Sequence, residues 1–114
     1  MAKILIEGGK PLSGSIKVSG AKNAALPIMA GVILSTEPVR LTNVPALNDV
    51  ETMAKVLQAI GIKSSCLGGN VYQFDASGSV SDEAPYELVK TMRASFFVMG
   101  PLLARLKKAR VPLP

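Results

Sequence analysis

The sequence contains no histidine and no tryptophan, and its single cysteine is Cys66. Without histidine, the commonest general base is missing, as are the Ser-His and Cys-His nucleophile pairs and most zinc and iron sites. Chemistry must come from Lys, Arg, Asp, Glu, Asn or backbone groups. One cysteine excludes an internal disulfide and fits a reducing cytoplasm. Aromatic residues make up 4% of the chain, too few platforms for stacking single-stranded nucleic acid, so no nucleic-acid partner is expected. No apolar run reaches the roughly 18–20 residues of a membrane span. The longest, 24–34, carries Pro27. Residues 1–3 lead into a strand-like run containing Glu7, which does not read as a secretory leader. A cytoplasmic protein without a membrane partner is the expectation.

What is present is one domain's worth of foldable chain. Its 114 residues are 48% hydrophobic and 18% charged, a balance that argues against disorder. The formal net charge of +5 suits an anionic partner.

Residues 3–7 read as a short strand closed by Gly8, Gly9 and Pro11, and residues 15–19 as a second with Ile16 and Val18 on one face. A helix is predicted over 23–34, with Pro27 near its first turn, where a missing N–H does little harm. A strand follows at 39–42. In the next helix Asn48 and Glu51 are spaced as a capping box, and Gly61 marks the stop. Met53, Val56, Leu57 and Ile60 between them keep the spacing of one buried face. Strands at 62–67 and 71–75 flank a Gly68-Gly69-Asn70 turn and form a hairpin. Residues 15–75 thus read as a βαβαββ unit, whose first strands should be parallel and joined by right-handed crossovers. Beyond them, 76–84 is a polar loop and 85–92 a short helix. A longer helix opens at Arg93 and should kink at Pro101. A strand at 110–114 closes an incomplete second unit, 76–114.

The organising stretch is Ser19-Gly20-Ala21-Lys22-Asn23-Ala24-Ala25-Leu26-Pro27, a strand-to-helix junction. A helix start there offers free N–H groups and partial positive charge. Lys22 adds an ammonium and Asn23 a two-sided amide, together a seat for phosphate or carboxylate. A solvated helix start is the plainer alternative.

That stretch is followed by Asn43-Val44-Pro45 ahead of Asp49-Val50, and then by Ala84-Pro85-Tyr86-Glu87-Leu88-Val89-Lys90-Thr91-Met92-Arg93-Ala94-Ser95. Together these motifs resemble the enolpyruvyl transferases, and among them the UDP-N-acetylglucosamine 1-carboxyvinyltransferases. The sister 3-phosphoshikimate enzymes usually carry a serine-rich form of the lysine motif. The resemblance implies an α/β fold, an inside-out α/β barrel of two domains, each made of three βαβαββ units. One complete unit and the start of a second would lie here, and the second domain would be absent. It implies transfer of the enolpyruvyl group of phosphoenolpyruvate to the 3-hydroxyl of UDP-N-acetylglucosamine, an early step of peptidoglycan synthesis. No metal or organic cofactor is implied.

By the same resemblance, Lys22 holds the phosphate of phosphoenolpyruvate and Asn23 bonds both that substrate and the sugar hydroxyl. Arg93 binds the UDP-sugar, the plainer role being an ion pair with Glu87 or Asp82. Asp49 is read as a helix-dipole partner. The family's proton donor is a cysteine on a Gly-Gly-Cys loop that follows a Leu-Pro pair, which places it beyond Pro114. No catalytic residue is therefore assigned within the chain. Cys66, on a hairpin strand, is not a substitute. The chain is expected to be an N-terminal fragment, inactive alone. A lone anion- or UDP-sugar-binding module and a purely structural piece remain alternatives. The basic residues Arg105, Lys107, Lys108 and Arg110 read as a solvated helix end. Met92, Phe96, Phe97, Met99 and Leu102 read as core.

Overall fold

The computed structural model describes residues 2–90 and 93–112, without the side chains of 93–95. Its helices are α1 (Lys22–Gly31), α2 (Asn48–Ala59), α3 (Tyr86–Val89) and α4 (Met99–Leu106). Its strands are β1 (Val39–Leu41), β2 (Lys63–Gly68) and β3 (Val71–Asp75). A 3-10 turn, Val32–Leu34, extends α1, and another, Arg93–Val98, precedes α4.

The strands form an antiparallel sheet in the order β1-β3-β2. Val39 and Leu41 lie opposite Phe74 and Tyr72, so these four share one face. The other face carries Arg40, Gln73, Ser65 and Lys63, and Arg40 donates to the Gln73 side chain at 3.0 Å. The sheet is apolar toward the helices and polar toward water, as a one-sided antiparallel sheet should be. Between β2 and β3 the two turn residues Gly69 and Asn70 have φ of 59° and 63°, the paired positive values that match the twist of a tight hairpin.

Helix α2 is the core's main contributor. Val50, Met53, Val56, Leu57 and Ile60 are fully buried, and each such side chain stabilises the fold by about 1.5–3 kcal/mol. They pack against Leu26, Met29 and Ile33 of the α1 segment, Phe74 of β3, and Val89, Val98 and Leu102. The helix ends in a Schellman motif: Ile62 donates to the Leu57 carbonyl at 2.9 Å and Gly61 to that of Gln58 at 3.0 Å. Gly61, at φ 108°, supplies the left-handed step the motif needs.

The chain departs from the expected pattern at several points. Residues 2–19 form no strand, and Ile4, Leu5, Ile6, Leu12, Ile16 and Val18 are 79–96% exposed. Alternation marks two faces, but a strand also needs a partner edge, and none among the described residues is paired with this segment. The first strand of the βαβαββ unit is therefore not formed, whereas α1, β1, α2 and the hairpin follow in the expected order. The extended arm raises the radius of gyration to 17.4 Å, against about 13 Å for a compact chain near this length.

Helix details differ too. Helix α1 begins at Lys22, so Pro27 lies in its second turn and removes the bond back to the Asn23 carbonyl. Pro27 is exposed, where water can serve that carbonyl instead. Asn48 is the first residue of α2 rather than its cap; Leu47 holds the cap position and no side chain caps the end. The kinked helix expected from Arg93 is a 3-10 turn followed by α4. This break puts Pro101 in the first turn of α4, where its missing N–H is tolerated. Of the expected terminal strand 110–114, the described residues contribute a parallel bridge between Glu83 and Arg110, and residues 113 and 114 lie outside the described residues. Of the expected late apolar group, Leu102 is buried, Phe96 and Met99 are half-buried and Phe97 is exposed. Met92 lies outside the described residues.

Candidate functional site

Three loops meet at the start of α1. Gly20 packs so closely on the 42–45 loop that a Cβ there would overlap the Asn43 carbonyl oxygen and lie 3.2 Å from Pro45 Cδ. Asn43 takes a left-handed φ of 56°, a conformation Asn tolerates better than most residues. Its Nδ2 donates to the Val18 carbonyl at 3.1 Å. Val44 in turn donates to the Asn70 carbonyl at 2.9 Å. The approach to α1, the exit from β1 and the hairpin turn are thereby tied together.

This framework aims two helix starts at one region. The cap position of α1 is Ala21, in extended conformation, with no side-chain oxygen to offer. The Ala21 carbonyl accepts from Ala24 at 3.2 Å and Ala25 at 2.9 Å. No described group accepts from the Lys22 or Asn23 amides. Absence of a capping side chain costs about 1 kcal/mol and leaves these donors open to an incoming anion.

Lys22 and Asn23, the first two residues of α1, are exposed. Lys22 Nζ lies 3.1 Å from Asp49 Oδ2, on the first turn of α2. The Asn23 side chain has no hydrogen-bond partner among the described residues. Arg93 opens the 3-10 turn that precedes α4, but its side chain is outside the described set. Glu87 and Asp82 pair with Lys90, at 2.7 Å, and Lys108, at 3.6 Å.

A cavity of about 180 Å³ lies beside the junction, between Ala21, Ala24 and Ile28 on one flank and Leu41, Asn43 and Val44 on the other. It is mostly apolar, and neither Lys22 nor Asn23 lines it. Lys22 and Asn23 thus lie outside its lining, at the exposed start of α1.

Cys66 is exposed on β2, opposite Tyr72 and at the sheet edge away from β1. Burial and then the Cys66 thiol raise the Tyr72 pKa above its ordinary value. The basic end of α4 is less solvated than expected. Arg105 donates to the Ile33 carbonyl at 2.9 Å and to that of Gly78 at 3.3 Å, joining the end of the α1 segment to the 76–84 loop. Sequence reasoning missed this cross-link because backbone carbonyls carry no side-chain signature. Asp49 does stand in the first turn of α2, as the helix-dipole reading placed it, and it has in addition a partner on another helix that spacing did not show. The Asn-Val-Pro motif did mark the Asn43 loop, though not its left-handed turn.

Residues 6–114 match the family model described as EPSP synthase (3-phosphoshikimate 1-carboxyvinyltransferase). The chain belongs to that family. Over its whole length it is 54% identical to the UDP-N-acetylglucosamine 1-carboxyvinyltransferase of Desulfovibrio desulfuricans and 51% identical to that of Desulfosudis oleivorans. It is also 54% identical to UDP-N-acetylglucosamine 1-carboxyvinyltransferase 2 of Carboxydothermus hydrogenoformans. In each case it spans 27% of the relative's length. The crystal structure of the enolpyruvyl transferase NikO from Streptomyces tendae superposes with a TM-score of 0.70 at 27% identity, covering 86% of this chain and 23% of that one. The α/β arrangement is therefore that of an enolpyruvyl transferase, as the motifs implied. No described helix is long and apolar enough to cross a membrane.

Proposed function

We propose that the chain is part of an enzyme that transfers the enolpyruvyl group of phosphoenolpyruvate to the 3-hydroxyl of UDP-N-acetylglucosamine, the sugar-nucleotide branch of its family, in the cytoplasmic synthesis of peptidoglycan. The relatives' shared name supports the choice of acceptor. The observation that carries the local reading is the uncapped start of α1, where Lys22 and two open amides converge.

Chemistry follows from those groups. The Lys22 ammonium and the Lys22 and Asn23 amides receive the phosphate of phosphoenolpyruvate. Charge builds on that phosphate as it departs from the tetrahedral intermediate, and a fixed cation lowers the barrier to departure. The Asn23 side chain, unengaged by the described protein, bonds the substrate and the sugar hydroxyl and holds them in attack geometry. Arg93, with a planar guanidinium suited to a diphosphate, binds the nucleotide. All three roles are binding roles. We therefore propose that the 114-residue chain binds its substrates without turning them over, its units 15–75 and 76–114 acting with the rest of a longer enzyme.

The test is amide NMR of the 114-residue chain, titrated with phosphoenolpyruvate and with UDP-N-acetylglucosamine. Lys22 and Asn23 should shift with phosphoenolpyruvate, Lys22→Ala should weaken that binding while leaving the amides to retain part of it, and shikimate 3-phosphate should not replace the sugar nucleotide. Unchanged phosphoenolpyruvate affinity in Lys22→Ala would overturn the assignment of the phosphate to Lys22. A preference for shikimate 3-phosphate would overturn the acceptor.

A further inference from the structure

We infer that Asp49 is a positioning residue for Lys22, holding its ammonium over the start of α1 so that an arriving phosphate meets an already placed cation. This rests on the phosphate-binding reading of Lys22 given above and adds a residue to it.

Asp49 stands on the first turn of α2, where a carboxylate ordinarily serves its own helix, as a cap or as a partner for the dipole. No side chain caps α2, and Glu51 already places negative charge on that turn. The Asp49 carboxylate reaches across to α1 instead, with Oδ2 3.1 Å from Lys22 Nζ. Its own backbone is anchored, because the next residue, Val50, is fully buried. A lysine side chain is long and entropically free. It is the only partner of Asp49 among the described residues, and Asp49 is the only one it has. The ammonium has three donors: one is used on Asp49 and two remain for a ligand. Ordering the cation beforehand lowers the entropy lost on binding.

The sign of the effect separates this role from a simple charge effect. Removing a negative charge beside an anion site should, by Coulomb attraction alone, tighten anion binding. Loss of a positioning group weakens it. Both side chains are partly exposed, 47% for Lys22 and 39% for Asp49, so the effect is expected to be small, roughly two- to fivefold.

The experiment is a double-mutant cycle read with inorganic phosphate, following the Asn23 amide of the 114-residue chain in parent, Asp49→Asn, Lys22→Ala and the double variant. Asp49→Asn should weaken phosphate binding by about two- to fivefold, and Asp49→Glu should restore it. In the Lys22→Ala background, Asp49→Asn should change nothing. Equal or tighter binding by Asp49→Asn overturns the inference, and so does the same weakening in both backgrounds. If Lys22→Ala binds phosphate like the parent, the reading of Lys22 fails first and the inference with it. Thermal melts accompany each variant. Should Asp49→Asn not fold, Asp49→Ser replaces it, with the same outcomes deciding.

Discussion

Gly20 and Asn43 meet backbone to backbone: the space a Cβ would need at Gly20 is filled by the Asn43 carbonyl oxygen. That contact sets where the chain enters α1, and hence where the Lys22 and Asn23 amides stand. The left-handed turn at Asn43 directs its carbonyl there while its side chain holds the Val18 carbonyl.

Gly20→Ala should therefore destabilise the chain by about 1–3 kcal/mol, the range for forced overpacking, and should perturb the Lys22 and Asn23 amide resonances. Gly100→Ala is the matched control. It lies in α4 with open space around it and no left-handed φ, so replacing helical glycine by alanine should stabilise by about 0.5–1 kcal/mol. Urea unfolding of the two variants measures both values. Equal effects would show that Gly20 is not constrained by the Asn43 carbonyl.

Arg105 should be worth more than its place on a basic helix end suggests. Its guanidinium bridges two carbonyls from segments far apart in sequence, Ile33 and Gly78. Arg105→Met keeps the apolar stem and removes both bonds, for an expected loss of about 1–2 kcal/mol in urea unfolding. Arg105→Lys should recover only part of that loss, because an ammonium does not reproduce a planar fork. Lys107→Met, on an exposed neighbour, should change stability by less than about 0.5 kcal/mol.

How much of this was legible follows from how far each signal travels along the chain. The buried face of α2, its glycine stop and the hairpin turn are local patterns, and each was read from neighbouring residues. The helix start at Lys22 and Asn23 was legible for the same reason, and the spaced motifs carried the family. The alternation at Ile16 and Val18 described a strand's faces but held no information about a partner edge, so it predicted a strand that the described chain does not form. The pairing of Lys22 with Asp49 depends on two helix starts being brought side by side, which no spacing rule encodes. The expected cap at Asn48 failed because Leu47, one residue earlier, takes the extended cap conformation.

Asp75 gives the chain a predictable acid response. At the end of β3 its Oδ1 accepts the Ser77 amide at 2.9 Å, an Asx turn that closes the strand. The Ser77 side chain first and the Ser77 amide second hold its carboxyl below the ordinary 3.8, with Lys63 adding in the same direction against a small desolvation effect. A carboxyl that is more acidic in the folded than in the unfolded chain stabilises the fold above the unfolded pKa. That contribution is lost as pH falls through the folded value. Carboxyl NMR titration should find Asp75 below the 3.8 reference, and Ser77→Ala should move it upward. Asp75→Asn should flatten the dependence of stability on pH from around the ordinary carboxyl value of 3.8 down through the lower folded Asp75 titration, with the variant and parent curves converging at the acid end. An Asp75 titration at or above 3.8 would mean that the carboxylate is not held by Ser77 in solution.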